Sequence, residues 1–303
     1  MPETITDCIG DLRIETAYVP VDRAIIFVVT PGFEAMLKDV IEGIYAFGDS
    51  RDAAIILFCV NEAYDNTQSW ENVLRLKVES PRKADINIRT ALYAAHRAVR
   101  GPKTFLALDV DMLVVGSLRP LWDLIASQPA GTLAGVRPMA EIIHPWDYVL
   151  SSYTLPVEDR EQDIVMVAGD RRKELYHFNG ALLIGQRLAW EYLERGMDEA
   201  TPEVKQWMIT GNPPWAEEAV MNLSANKYCT VVNLDRRWNQ MFYTPTAETR
   251  DMWMKAEYTD AGVRYHGENG PSRILHFPHT GRPMRDFILN EIQTHGLDTQ
   301  GAL

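Results

Sequence analysis

The sequence predicts an α/β protein in which a mainly parallel central sheet is covered by helices on both faces. Short apolar runs, such as residues 23–30, 53–60 and 105–108, have the composition of buried strands. Amphipathic segments such as residues 33–47 lie between them. Alternating strands and helices form right-handed crossovers in a parallel sheet, and such sheets bind ligands beyond the carboxyl ends of their strands.

The predicted elements follow one another in a regular order after a polar N-terminal segment. Strands are predicted over residues 23–30, 53–60, 73–78, 105–108, 112–115, 131–136, 176–185, 230–234 and 272–277. Helices are predicted over residues 33–47, 83–99 and 215–226, from Arg119, through Trp190 and Leu193, and up to about residue 294. Two prolines in residues 211–214 interrupt helical structure because proline lacks an amide donor.

Composition excludes several classes of protein. The 303 residues carry a formal net charge of -12, with 46% hydrophobic and 24% charged residues, which is typical of a globular protein. An acidic chain lacks the basic surface that binds nucleic acid without sequence preference. The three cysteines are widely spaced and favour reduced thiols. With no secretory signal and no apolar run of membrane-spanning length, we expect a cytoplasmic protein, free or peripheral at a membrane.

Two carboxylates follow the apolar run of residues 105–108. Asp109 and Asp111 are separated by one residue, and side chains at i and i+2 of an extended chain point to the same side. Such a pair is costly to desolvate without a positive partner, and a divalent cation that also binds substrate phosphate is the simplest one. The alternative is that the acids end one strand and open a turn before residues 112–115.

Three further positions are candidates with a structural alternative beside each. Thr30 ends the first predicted strand and is a candidate ligand neighbour, or a helix-capping hydroxyl. Glu217 and Glu218 open a helix, where the macrodipole alone favours carboxylates. Residues 139–170 are rich in charge and aromatic side chains, and we expect acceptor specificity to reside there.

Five blocks of sequence carry a resemblance to a known family. They are Phe105 to Gly116 followed by Leu118 and Leu121-Trp122, Phe178 to Ile184, Glu217 to Asn222, Leu234 with Trp238-Asn239, and His276-Phe277 with Gly281-Arg282-Pro283. In this order the blocks resemble those of glycogenin-like retaining glycosyltransferases, glycosyltransferase family eight, which adopt the GT-A fold. The chain departs from the family pattern at Glu217 and Glu218, which replace Asp and Gln, and at Arg282, which replaces Lys.

The resemblance implies one GT-A domain over residues 1–295 and a tail over 296–303. Residues 23–125 would form the nucleotide-binding half, and residues 126–295 would bind the donor sugar and the acceptor. Asp109, Asp111 and His276 would hold a divalent ion against the diphosphate of a UDP-sugar, with His279 as a rival ligand. Imidazole ligation favours Mn²⁺ over Mg²⁺.

The resemblance also implies roles for residues around the donor. Arg282 would contact the diphosphate, and Arg89 or Lys83 would reach the same phosphates unless they are solvated surface charges. The residues implied to contact the donor sugar are Asn179, Glu217 and Glu218.

The reaction implied is transfer of a sugar from the UDP-sugar to a hydroxyl acceptor with retention of anomeric configuration. Three alternatives stay open. One is inverting transfer with Glu217 or Glu218 as general base. The others are a metal-dependent nucleotidyltransferase and a nucleotide-sugar binder without turnover. The acceptor can be a glycan, a lipid-linked glycan, a natural product or a protein.

Overall fold

The structure is a computed structural model of the 303-residue chain. It describes residues 3–81, 89–136, 178–210, 216–242, 257–259, 262–264, 271–278 and 282–294, and for 257–259, 262–264, 282 and 291–294 it describes the backbone alone. The predicted acceptor segment, residues 139–170, together with Lys83 and His279, therefore lies outside the described residues.

The strands are named β1 to β16 in chain order. They are Thr4–Thr6, Arg13–Glu15, Ala17–Tyr18, Arg23–Val29, Ala53–Val60, Val73–Glu79, Val99–Arg100, Thr104–Leu108, Met112–Val114, Thr132–Val136, Leu182–Gln186, Thr230–Leu234, Gln240–Met241, Glu257–Thr259, Gly262–Arg264 and Ile274–His276.

The helices are named α1 to α9 in chain order. They are Glu34–Phe47, Ala63–Asn66, Thr90–Tyr93, Ala95–Ala98, Arg119–Ala126, Arg187–Asp198, Pro202–Thr210, Ala216–Tyr228 and Arg282–Thr294. A 3-10 turn, Arg236–Trp238, lies between β12 and β13.

The chain forms two compact units, each built from three segments. The first unit consists of Met1–Gly32, Ala53–Leu108 and Ile125–Leu234. The second unit consists of Phe33–Asp52, Asp109–Leu124 and Asp235–Leu303. The prediction of one domain over residues 1–295 stays a prediction.

The first unit contains a sheet of nine described strands in the order β1-β2-β6-β5-β4-β8-β11-β10-β12. Among these nine, β2 and β11 run against the direction of the others. The central strands β4, β5 and β8 are apolar because they are buried. The predicted α/β fold class with a mainly parallel central sheet is thereby confirmed.

Two parts of the first unit differ from the prediction. The strands β1 to β3 occupy the polar N-terminal segment, where short, largely exposed strands leave no run of apolar residues to detect. The helix predicted over residues 83–99 is interrupted within its described part: α3 and α4 are separate turns, and Val99 pairs with Ala17 in a small parallel ladder. Burial of Leu92, Tyr93 and Ala95 produced the apolar pattern without a continuous helix.

The second unit contains a three-stranded sheet in the order β13-β16-β9. Helix α1 approaches β9 so closely that a Cβ on Gly43 would lie 2.6 Å from the carbonyl oxygen of Val114, which explains the glycine. Side chains in α9 and in or directly after β9 and β16 form a small apolar core, consisting of Leu113, Val115, Leu275, Phe277, Met284 and Ile288. Arg285 of α9 is buried and forms an ion pair with Asp39 of α1. This core and ion pair fix the strands that carry the acidic loop.

Within the part of the chain that the structure describes, no helix combines the length and the apolar character that a membrane span requires.

Candidate functional site

Pairing of β9 with β16 in the second unit brings three predicted metal ligands together. Asp111 directly precedes β9, and His276 is the last residue of β16, paired with Met112. The amide of Phe277 donates to the carbonyl oxygen of Asp111 at 3.1 Å, so the ladder continues to the acidic loop. As a result, Nε2 of His276 lies 3.4 Å from Oδ1 of Asp111.

Asp109 completes this cluster, which we call the metal cluster. Asp109, Asp111 and His276 each offer one ligand atom, and these atoms all lie within 4.8 Å of one another. Two ligands at right angles around an ion at about 2.1 Å would be about 3.0 Å apart, and opposite ligands about 4.2 Å apart. The observed spacings therefore need only a small contraction to enclose one divalent ion.

The hydrogen bonding of Asp111 fits a bound cation. Its Oδ1 is buried and, in the described part of the chain, accepts no hydrogen bond. A buried carboxylate oxygen without a donor or a positive partner is costly. Two carboxylates and one imidazole are a donor set that suits Mn²⁺ well and Mg²⁺ less well. The residues present thus fit a divalent metal ion.

His276 is held from its other side. The residue is 3% exposed, and its Nδ1 lies 3.0 Å from Oδ1 of Asn239, which is also buried. Sequence reasoning assigned no role to Asn239, although the Trp238-Asn239 pair was one of the blocks that carried the family resemblance.

In the first unit, the start of α8 contacts the residues before β11 through a buried asparagine. The amide of Phe178 donates to Oδ1 of Asn222 at 2.6 Å, and Nδ2 of Asn222 donates to the carbonyl oxygen of Phe178 at 3.0 Å. The same Nδ2 donates to the carbonyl oxygen of Glu218 at 2.9 Å. Asn222 thereby fixes the position of the loop that contains Asn179 and Gly180.

Two predicted donor-sugar residues, Asn179 and Glu218, lie at this loop together with Arg89, which was predicted to reach the phosphates. With Glu217, the neighbour of Glu218 at the start of α8, we call these four residues the loop cluster. The amide of Gly180 donates to Oε2 of Glu218 at 3.2 Å, and Arg89 donates to the carbonyl oxygen of Gly180. A Cβ on Gly180 would lie 3.1 Å from the Arg89 guanidinium, so this close approach favours glycine. Oδ1 of Asn179 accepts from the amide of Ala181 at 3.0 Å.

Glu217 and Glu218 differ in burial. Glu217 is 3% exposed and accepts a hydrogen bond from the Tyr93 hydroxyl, whereas Glu218 is half-buried. Burial, reinforced by the neighbouring Glu217 carboxylate, raises the pKa of Tyr93 well above its ordinary value. Tyr93 therefore stays protonated and remains a donor to Glu217. Sequence reasoning treated Tyr93 only as part of an apolar helix face.

The remaining predicted site residues have simpler placements. Thr30 follows β4 in the first unit and is half-buried. Arg282 begins α9 in the second unit, and its side chain lies outside what the structure describes.

A second buried histidine, His96, lies in the first unit. His96 is 6% exposed, its Nδ1 contacts the carbonyl oxygen of Tyr93 at 3.0 Å, and its Nε2 lies 3.3 Å from Oε2 of Glu194. Arg97 donates to the same carboxylate through Nε, at 2.8 Å, and through Nη2. Desolvation lowers the pKa of His96 to about 4.

No family model matches the chain, and no curated protein matches it. Many solved structures resemble its fold, among them the following three. The apo structure of the bifunctional glycosyltransferase WbbM aligns with a TM-score of 0.50 at 14% identity, over 86% of this chain and 46% of that protein. The galactosyltransferase LgtC, in complex with donor and acceptor sugar analogs, has a TM-score of 0.46 at 14% identity, over 84% and 87% of the two chains. Mouse xyloside xylosyltransferase 1 has a TM-score of 0.47 at 14% identity, over 86% and 99%.

Of these three likenesses, the one to WbbM reaches a TM-score of 0.50, and at 14% identity it concerns the fold alone. This chain spans about half the length of WbbM. The predicted α/β fold of the GT-A type is confirmed as a fold shared with a glycosyltransferase of known structure, while membership of glycosyltransferase family eight stays a prediction.

Proposed function

We propose that this protein is a metal-dependent glycosyltransferase that moves a sugar from a UDP-sugar to a hydroxyl acceptor with retention of anomeric configuration. The observation that carries this proposal is the metal cluster. Two carboxylates and an imidazole converge there, and one buried carboxylate oxygen accepts no hydrogen bond in the described part of the chain. The shared fold supports the proposal because WbbM, which has this fold, is a glycosyltransferase.

Asp109, Asp111 and His276 would hold Mn²⁺, or Mg²⁺. The bound ion would supply a positive charge that stabilises the diphosphate as a leaving group. Arg282 is proposed to contact the same diphosphate, and Thr30 and Arg89 are proposed nucleotide contacts. The Arg89 guanidinium donates a hydrogen bond to the carbonyl oxygen of Gly180. We therefore expect Arg89 also to hold the loop that contains Asn179.

The loop cluster is proposed to orient the donor sugar. Asn179 and Glu218 are its hydrogen-bonding groups, and Glu217 supports them from a buried position. Because the Glu217 carboxylate accepts from Tyr93 inside the core, we assign it a positioning role. Glu218 is the half-exposed carboxylate in the first turn of the helix.

The same difference in burial favours one alternative. A half-exposed carboxylate can accept the proton of an attacking hydroxyl, which is what inverting transfer requires of a general base. If the enzyme inverts configuration, Glu218 rather than Glu217 is the expected base. A Glu218→Gln variant would then lose nearly all activity, whereas a retaining enzyme would keep a measurable part of it.

The test is incubation of the purified protein with a panel of UDP-sugars and Mn²⁺, with and without a chelator. Release of UDP that depends on metal supports a glycosyltransferase, and release of pyrophosphate identifies a nucleotidyltransferase instead. Binding of a UDP-sugar without turnover in the presence of candidate glycan, lipid-linked, natural-product and protein acceptors identifies a non-catalytic binder. The anomeric configuration of the product, read by NMR, separates retention from inversion.

A further inference from the structure

We propose that Asn239 is the positioning residue of the metal cluster: it holds His276 in the tautomer whose Nε2 lone pair faces Asp111. The proposal rests on the proposed function in one respect, because it concerns a residue that supports the metal ligand His276. Asn239 would not touch the ion itself and would act on it through the imidazole ring of His276.

The contact itself is well formed. Oδ1 of Asn239 lies 3.0 Å from Nδ1 of His276, within the normal range of a hydrogen bond. Asn239 is 4% exposed and His276 is 3% exposed, so water does not compete for either group. A hydrogen bond in such a setting determines the orientation of the ring.

Strand pairing places Asn239 next to His276. Asn239 directly precedes β13, which pairs in parallel with β16 so that Met241 is opposite His276. The amide of Phe242 donates to the carbonyl oxygen of His276 at 2.8 Å. The turn before Asn239 also contacts Arg273, which directly precedes β16. The amide of Arg273 donates to the carbonyl oxygen of Arg237 at 2.8 Å, and the Arg273 guanidinium lies 5.2 Å from the centre of the Trp238 ring.

The chemistry of the contact determines where the imidazole proton resides. A carboxamide oxygen only accepts hydrogen bonds, so Nδ1 of His276 must carry the proton. A neutral imidazole has one such proton, which leaves Nε2 with a lone pair, 3.4 Å from Oδ1 of Asp111.

The opposite orientation of the amide makes a different prediction. Nδ2 of Asn239 would then donate to Nδ1, the proton would sit on Nε2, and it would be directed at Asp111. Such a histidine cannot bind a metal ion through Nε2. The two arrangements therefore differ in a property that can be measured without any metal.

The first measurement is ¹⁵N NMR of the imidazole rings in the metal-free protein at about pH 9, where an ordinary imidazole is neutral. His276→Gln identifies the signals of this ring among those of the seven histidines. We expect the Nδ1-H tautomer in the wild-type protein and its loss in Asn239→Leu. An Nε2-H tautomer in the wild-type protein overturns the proposal.

The second measurement is Mn²⁺ binding, followed by the EPR signal of the free ion. Asn239→Leu is expected to weaken binding by about tenfold to 100-fold, as for other residues that orient a metal ligand. Asn239→Asp keeps an acceptor oxygen and is expected to bind within about threefold of wild type. The matched control is Asn290→Leu, at an exposed position of α9 in the same unit.

Wild-type affinity in Asn239→Leu would contradict the positioning role while leaving the metal cluster intact. If the wild-type protein binds no Mn²⁺, the proposed function fails, and the NMR result alone decides whether Asn239 sets the tautomer.

Discussion

His96 in the first unit and His276 in the second have almost the same surroundings. Both rings are buried, both use Nδ1 in a 3.0 Å contact with an oxygen, and both place Nε2 3.3–3.4 Å from a carboxylate oxygen. They differ in the charged residue that neighbours the carboxylate. Glu194 is paired with the Arg97 guanidinium, whereas Asp111 has a second acid, Asp109, beside it.

The two sites differ in how the charge of the carboxylate beside the histidine is balanced. The negative charge of Glu194 is balanced by a side chain, so His96 can stay neutral and its site contributes to folding. Asp111 has a second acid beside it, and its own Oδ1 is buried and accepts no hydrogen bond within the described residues. We therefore propose that a bound cation balances the charge at this site. This contrast explains why we assign a metal ion to one histidine site and a structural role to the other.

The largest expected effect follows from removing charge at the metal cluster. Asp111→Asn should lower kcat/KM by roughly 10³-fold or more, because metal stabilisation of a leaving group contributes several kcal/mol. In the absence of metal, its free energy of unfolding in urea should equal or exceed that of wild type, since the change removes the charge from a carboxylate whose buried Oδ1 accepts no hydrogen bond in the described part of the chain. The matched control is Glu194→Gln, which makes the same chemical change beside His96 and should keep kcat/KM. Equal activity in both variants would contradict the contrast between the two sites.

The second effect concerns His96 and pH. Its pKa is about 4 in the folded protein and about 6.5 in an unfolded chain, so between these values the unfolded state binds more protons. The neutral His96 therefore makes its full contribution to the free energy of unfolding above about pH 6.5. That contribution falls as the pH is lowered to about 4, by about 3 kcal/mol in total.

The comparison that isolates His96 is urea unfolding of wild type and His96→Asn at several pH values. The carboxylates and guanidiniums that face the ring, those of Glu191, Glu194, Arg97 and Arg187, are common to both proteins. The variant should lose less stability than wild type between pH 6.5 and 4. Parallel curves would show that His96 does not titrate as described.

The third effect is stabilisation by metal. Mn²⁺ at about 100 times its Kd should raise the free energy of unfolding by about 2.7 kcal/mol, because the folded cluster binds it and the unfolded chain does not. Differential scanning calorimetry should show the shift in wild type and in Glu194→Gln but not in His276→Gln. A shift that persists in His276→Gln would place the ion elsewhere.

The smallest effect is expected at the arginine that completes the His96 site. Arg97→Met should destabilise the protein by about 1–2 kcal/mol, a value kept low because the Arg97 side chain is 40% exposed. Adding Glu194→Gln should recover most of the loss by removing the charge that Arg97 balances. A double variant no more stable than Arg97→Met would indicate that Arg97 acts mainly through its bond to Thr6.

Much of the fold follows from sequence because burial leaves a local signal. The apolar run at residues 53–60 predicts β5 with its observed bounds, and residues 230–234 likewise predict β12. The strands β1 to β3 left no such signal, since they are short and partly exposed. At residues 90–98 the buried pattern resembled a helix face, but pairing of Val99 with Ala17 ends the helical turns early.

The site was predictable to the extent that its residues belong to motifs. Asp109 and Asp111 are separated by one residue in the sequence, and the proposed partner His276 came from the family resemblance. Asn239 and Tyr93 depend on contacts with residues far along the chain, at His276 and Glu217, and no local pattern reveals such a contact. His96 is a single histidine whose partner, Glu194, is equally remote in sequence.

The pairing of β9 with β16 has a consequence for biosynthesis. About 165 residues of chain separate Asp111 from His276, and closing so long a loop carries an entropic cost that only the finished core can offset. On the ribosome, the acids emerge long before the imidazole that meets them. A nascent or truncated polypeptide ending before β16 would therefore lack the assembled three-ligand cluster, so metal uptake through it would be reserved for molecules whose synthesis has reached β16.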